Sequence, residues 1–123
     1  MNAIKKVPES NYASMSRSNA VSACPLTAAL AAIGGKWKLI IVYWLSESPR
    51  HFAGLRREMP GISQKVLTQQ LRELIADRIV QRQPHGPVPA TVEYSLTEYG
   101  HSLLPLVEAI RLWGHQHMEQ LNA

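Results

Sequence analysis

Between Pro60 and Ile75 the chain specifies a turn and then a helix, and each leaves little freedom to fold otherwise. Pro60-Gly61 suits a tight turn. The Ser63 hydroxyl is positioned to accept from an unpaired first-turn N–H, and Ile62 is positioned to staple against Leu67 one turn on. From there Leu67, Leu71, Leu74 and Ile75 recur along one helical side, and Gln64, Lys65, Thr68, Gln69 and Arg72 recur along another. The apolar side demands a core. The polar side carries the groups that pair with base edges and phosphates: Gln with adenine, Arg and Lys with guanine, Thr with phosphate oxygens or the thymine methyl. An ordinary solvated helix face has the same composition, so the rest of the chain must decide between the two readings.

The distribution of charge favours the first. Between residues 50 and 82 lie seven cations (Arg50, Arg56, Arg57, Lys65, Arg72, Arg78, Arg82) and three anions (Glu58, Glu73, Asp77), while the six cations and six anions elsewhere cancel. The net charge of +4 therefore belongs to the third of the chain that holds the candidate reading helix, which points to a polyanionic partner, a nucleic acid. At 123 residues, with 46% hydrophobic and 18% charged, the chain has the composition of one globular domain. A single cysteine, Cys24, leaves no intrachain disulfide and suits a reducing cytoplasm. Residues 1–23 mix Lys5, Lys6, Glu9 and Arg17 with Ser and Asn, lack an apolar run of signal-peptide length, and read as a mobile tail. The longest apolar run, Leu39 to Leu45, is seven residues. Roughly 20 are needed to span a bilayer, so no membrane segment is expected.

Pro25 suits the first turn of a short helix with Leu26, Leu30 and Ile33 on one side, stopped by Gly34-Gly35. From Lys36 to about Leu45, Trp37, Ile40, Ile41 and Trp44 take the i, i+3, i+4, i+7 spacing of a strongly buried helix that ends at Ser48-Pro49. These tryptophans are assigned to the core rather than to a cofactor or a base stack. Phe52, Leu55 and Met59 mark a short helix from about Ala53 to Glu58, which completes a helix-turn-helix unit with a reading helix over about 63–77. The period then becomes two. Ile79 to Gln83 and Thr91 to Leu96 are strand-like, the second with Val92, Tyr94 and Leu96 on one side, and they flank the proline-rich Pro84-His85-Gly86-Pro87-Val88-Pro89. That is a hairpin wing over about 79–96. Thr97 can cap a last helix over about 97–121, bent at Pro105, with Leu103, Val107, Ile110, Trp113, His117 and Leu121 along one stripe. So long an apolar terminal helix exceeds what a small domain covers easily, and a second subunit is the natural cover. Packing across its own domain is the alternative.

The expected fold is mainly α with a small β-hairpin wing (α+β): a winged helix-turn-helix domain over 24–123, dimeric with terminal helices at the interface. An enzyme is not expected. Gly-x-Ser-x-Gly and Gly-x-Gly-x-x-Gly are absent, and Gly35-Lys36 lacks the glycine a phosphate loop needs at position 30, which is Leu30. No cofactor motif is found. No metal site is expected either, because His115 and His117, at i, i+2, lie on nearly opposite sides of a helix; they read as a surface and an interface histidine.

With these elements in order, the chain resembles the HxlR-type transcriptional regulators, relatives of the MarR group. The resemblance extends over about residues 24 to 118. It rests on Cys24-Pro25-Leu26, Gly34-Gly35-Lys36-Trp37, Phe52-Ala53-Gly54-Leu55-Arg56-Arg57, the continuous stretch from Pro60 to Leu74, and Val92-Glu93-Tyr94-Ser95-Leu96-Thr97. It implies a cytoplasmic homodimer that binds pseudo-palindromic promoter DNA and usually represses, sometimes activates, transcription. Carried over by position, Gln64, Lys65, Thr68, Gln69 and Arg72 face the major groove, Ser63, Arg56 and Arg57 serve the DNA backbone, and Arg82 and His85 set the wing on the minor groove or its phosphates. Two positions depart from the family. Ala90-Thr91 stands where a cation commonly precedes the last strand. Arg78 stands where a glycine is common, so a left-handed turn there costs a non-glycine residue something. The resemblance also makes Cys24 a candidate sensor thiol for an oxidant or other small-molecule effector, with Cys-Pro at a helix start favouring thiolate; a reduced thiol that only packs is the alternative. For the basic face, the other use is docking on an acidic protein partner without sequence-specific DNA binding.

Overall fold

The computed structural model describes residues 24–84 and 92–123. The tail read over 1–23 and the wing tip, His85 included, lie outside them. Helix α1 (Pro25–Ile33) begins as its sequence demands: Pro25 occupies the first turn, the Cys24 Sγ accepts from the Thr27 N–H at 3.2 Å, and Gly34 ends the helix. Helix α2 (Lys38–Glu47) starts later than expected, with Trp37 as its cap residue. Its buried line is Lys38, Ile41, Val42 and Leu45 rather than the tryptophan stripe. Trp37 and Trp44 are only half-buried against the core and Ile40 is exposed, which corrects the expected phase of this helix by one residue. Indoles are too large to be enclosed in so small a core. The rim site also lets Lys36 sit over the Trp37 ring, 4.7 Å from its centroid.

The strand β1 (Arg50–His51) is not expected from the sequence. It is followed at once by α3 (Phe52–Arg57) and, across the Pro60-Gly61 turn, by α4 (Gln64–Ala76). Gly61 takes φ +92°, a conformation open to glycine and strained for other residues. Ser63 caps α4 by accepting from the Val66 N–H at 3.0 Å, and Ile62 and Leu67 are both buried, as a hydrophobic staple requires. The other end of α4 is a Schellman closure. Arg78 takes φ 62°, its N–H donates to the Ile75 carbonyl at 3.0 Å, and the Ile79 N–H donates to the Leu74 carbonyl at 2.9 Å. Leu74 and Ile79 are both buried in the core, so the chain turns out of the helix without exposing either.

Strands β2 (Val80–Pro84) and β3 (Val92–Leu96) form the wing, in register from Val80 opposite Leu96 to Pro84 opposite Val92. β1 pairs antiparallel with the free side of β3, Arg50 opposite Tyr94, so the hairpin is part of a three-stranded sheet in the order β1-β3-β2. This ties the wing to the start of α3. Ile41, Val42, Leu55, Leu67, Leu71, Leu74 and Val80 make the centre of one core beneath α4 and the sheet.

The last helix is two helices, which corrects the single bent one expected over 97–121. Thr97 caps α5 (Glu98–His101), accepting from the Gly100 N–H at 2.9 Å, and α6 (Leu104–Leu121) follows after Ser102-Leu103. The break falls where Pro105, having no N–H, cannot bond the His101 carbonyl one turn back. The Thr97 hydroxyl also donates to the Arg78 carbonyl, and Gly100 lies so close to the Ile79 backbone that an added Cβ would collide with its carbonyl oxygen. α5 is thereby fastened to the end of α4. Along the expected apolar stripe, Leu103 and Val107 are half-buried against their own core. Ile110, Trp113 and Leu121 are 46%, 63% and 71% exposed, and Leu106, Leu112 and Met118 are exposed beside them. Among the described residues no single helix is long and apolar enough to cross a membrane.

Candidate nucleic-acid interface

The apolar stripe of α4 is held in the core by Leu67, Leu71 and Leu74, and this fixes which residues point outward. Gln64, Lys65, Gln69 and Arg72 are exposed and Thr68 is half-buried, and the five together line one shallow surface depression. Two further depressions adjoin it and share Gln64. One lies against α3 and is lined by Arg56 and Arg57. The other lies between α4 and the wing and is lined by Thr68, Arg82 and His51. The structure thus groups Gln64, Lys65, Thr68, Gln69 and Arg72 with Arg56, Arg57 and Arg82 around adjoining depressions, while Ser63 lines none of the three and its hydroxyl accepts from the Val66 N–H, and His85 is outside the described residues. The face is flanked by cations on both sides, Arg56 and Arg57 toward α3 and Arg82 toward the wing, a charge distribution suited to a polyanionic partner.

Several side chains in this region already have partners. Arg56 donates from Nε to the Ile62 carbonyl at 3.2 Å, so it braces the α3–α4 turn. Gln69 donates from Nε2 to the Glu73 Oε2 at 2.8 Å, and the Glu73 Oε1 accepts from the Lys38 Nζ at 2.7 Å. Sequence reasoning misses Lys38 and Glu73 because their pairing joins two helices far apart in the chain. His51, also missed, meets the Val92 carbonyl through Nδ1 at 3.0 Å and so links the start of α3 to the wing. No local signal distinguishes it.

Cys24 lines none of these three depressions; it stands at the start of α1 and is buried. The Thr27 hydroxyl, 3.1 Å from its sulfur, and then the Thr27 backbone N–H hold the thiol below its ordinary pKa. Both partners stabilise the thiolate, as does the helix N-terminus they belong to. His117 stacks on Trp113 with ring centroids 4.9 Å apart, and His115 lies 3.7 Å from a Glu119 carboxylate oxygen. Among the described residues no group of three or more His, Cys, Asp or Glu is arranged to hold a metal ion.

A capped helix carried by a tight turn, a sheet-anchored wing beside it and cations on both flanks define the winged helix-turn-helix class of regulators. The chain belongs to the HxlR-like helix-turn-helix family, whose profile matches residues 32–122. It is 45% identical over 100 residues to the HTH-type transcriptional regulator YybR of Bacillus subtilis, covering 81% of this chain and 80% of that one. Among solved structures it is similar to the redox regulator HypR in its reduced form, with a TM-score of 0.75, 45% identity, and coverage of 80% of this chain and 97% of that chain. HypR in its oxidised form gives a TM-score of 0.72 at 47% identity, covering 76% and 96%. The reduced form of the transcriptional regulator YodB of B. subtilis gives 0.66 at 34% identity, covering 76% and 92%. The protein is a transcriptional regulator of the helix-turn-helix type and not an enzyme.

Proposed function

We propose that this protein is a cytoplasmic homodimer that binds pseudo-palindromic promoter DNA and represses transcription from it, with Gln64, Lys65, Thr68, Gln69 and Arg72 reading base edges. Ser63, Arg56, Arg57 and the wing Arg82 grip the backbone. The observation that carries this reading is the common face: five side chains of base- and phosphate-pairing chemistry line one depression on α4, and the flanking depressions hold Arg56, Arg57 and Arg82. The dimer is supported by the uncovered apolar half of α6, since a two-fold operator asks for two reading helices about one helical turn apart. Titrating operator binding against salt tests the reading. Duplex binding falls with a log-log slope of about 0.9 per phosphate neutralised, whereas a face that docks an acidic protein responds less. A shallow slope on DNA would count against the account.

Redox control through Cys24 belongs to the same proposal. Its support is the pair of Thr27 hydrogen bonds that favour thiolate, together with the redox regulator HypR among the similar structures. With one cysteine per chain, oxidation to a disulfide joins Cys24 to the other subunit or to a small thiol, after a local opening of the buried sulfur. Diamide changes the operator affinity of the parent and leaves Cys24→Ser unaffected; identical responses from the two proteins would end the redox assignment.

A further inference from the structure

Among the described residues Lys38 is the buried charged side chain of the core, and it does not simply neutralise a neighbour. It reaches from the buried face of α2 to Glu73 on α4, with the two side chains 6% and 29% exposed, and the second oxygen of Glu73 holds the amide of Gln69 on the outer face. A continuous chain of two short hydrogen bonds, 2.7 and 2.8 Å, therefore runs from the core to the candidate DNA surface. A buried ion pair is a poor means of gaining stability, because apolar residues of similar volume in both places usually serve as well or better. Pairing of this kind does fix orientation. Without an anchor, a Gln69–Glu73 contact at i, i+4 would leave both side chains free to change rotamer together; here the carboxylate is pinned from behind by a lysine that the core immobilises.

The orientation has a chemical consequence. A glutamine amide offers one acceptor oxygen and two N–H hydrogens. Adenine in the major groove presents N7 as acceptor and N6–H as donor, so it takes one hydrogen and the oxygen, whereas guanine presents two acceptors, N7 and O6, and takes two hydrogens. With one hydrogen given to Glu73, Gln69 keeps the combination that suits adenine and loses the one that suits guanine. We propose that the Lys38–Glu73 pair is a specificity device that presets Gln69 to accept adenine and reject guanine. This rests on the reading of α4 as the helix that contacts bases. Lys38 and Glu73 act through Gln69 and are positioning residues.

The test compares the parent, Gln69→Ala and the double variant Lys38→Met/Glu73→Leu, which removes both charges and so leaves neither buried alone. A preferred duplex is first selected from a random library with the parent, and affinity is then measured for every single-base replacement in it. The expected result is one A·T position per half-site at which guanine costs the parent about tenfold. Gln69→Ala loses that preference, and the double variant loses most of the adenine-over-guanine ratio there while other positions and random-duplex affinity are unchanged. Circular dichroism checks that the double variant is folded, and Lys38→Leu/Glu73→Met, equally free of charge, serves in its place if it is not. An unchanged ratio in the charge-free variant overturns the device while leaving the reading face intact, and so does a loss spread evenly over all positions. If Gln69→Ala alters no position at all, Gln69 does not read a base, and the reading on which the device rests fails at that residue.

Discussion

At the scale of the residue, Arg78 is where the chain accepts a local cost for a global connection. Its φ of 62° is left-handed, yet the turn it makes delivers Ile79 to the core and offers its own carbonyl to Thr97, which starts the C-terminal helices. The left-handed conformation costs a non-glycine residue about 1–2 kcal/mol. A glycine in its place loses more backbone entropy on folding, about 0.5–1 kcal/mol. Arg78→Gly is therefore expected to stabilise the protein by about 0.5–1 kcal/mol in chemical denaturation; a loss of stability would mean that the arginine side chain contributes more than its backbone strain costs. This strain is legible in the sequence only through resemblance, since nothing in Asp77-Arg78-Ile79 itself announces a left-handed residue. The α2 tryptophans are legible in kind but not in phase. Periodicity gives a stripe to within about one residue, and the choice between a face led by Trp37 and one led by Lys38 depends on which volumes the opposing α4 can enclose.

Element by element, legibility follows the range of the interactions. The cap, staple and two faces of α4 can be read from the sequence because all of these are local, within one or two turns. β1 cannot, because two residues form a strand only when β3 supplies the partner, more than forty positions away in the chain. The Lys38–Glu73 pair, which joins residues 35 apart, is hidden for the same reason. The split of the last helix falls between these cases: Pro105 marks the place, and its lost hydrogen bond breaks the helix instead of bending it. For α4 itself the expected division of labour is measurable. Gln64→Ala and Arg72→Ala are each expected to reduce discrimination between operator and random duplex by about 1–3 kcal/mol, while Arg57→Ala weakens both duplexes alike. Competition binding against both DNAs decides it, and equal losses for Gln64→Ala would remove that residue from base readout.

For the whole molecule, the apolar surface of α6 is the feature a single chain leaves unexplained. Its first turns pack on the core through Leu103, Leu104 and Val107, and its remainder presents Ile110, Leu112, Trp113, Met118 and Leu121 outward. The stripe expected to make the dimer thus serves two roles, its beginning intramolecular and its end uncovered. A charge on the uncovered part, Ile110→Glu, is expected to give monomers in sedimentation velocity and to lose operator binding by far more than one local charge accounts for. A variant that stays dimeric would move the interface elsewhere. The central claim, that the common face of α4 in a two-fold assembly reads promoter DNA, is tested most directly by recovering and sequencing the genomic fragments bound by the purified, reduced protein at near-physiological salt. The expected result is enrichment of one or a few inverted repeats with half-sites about one helical turn apart, and binding without enrichment, or no binding at all, would contradict the claim.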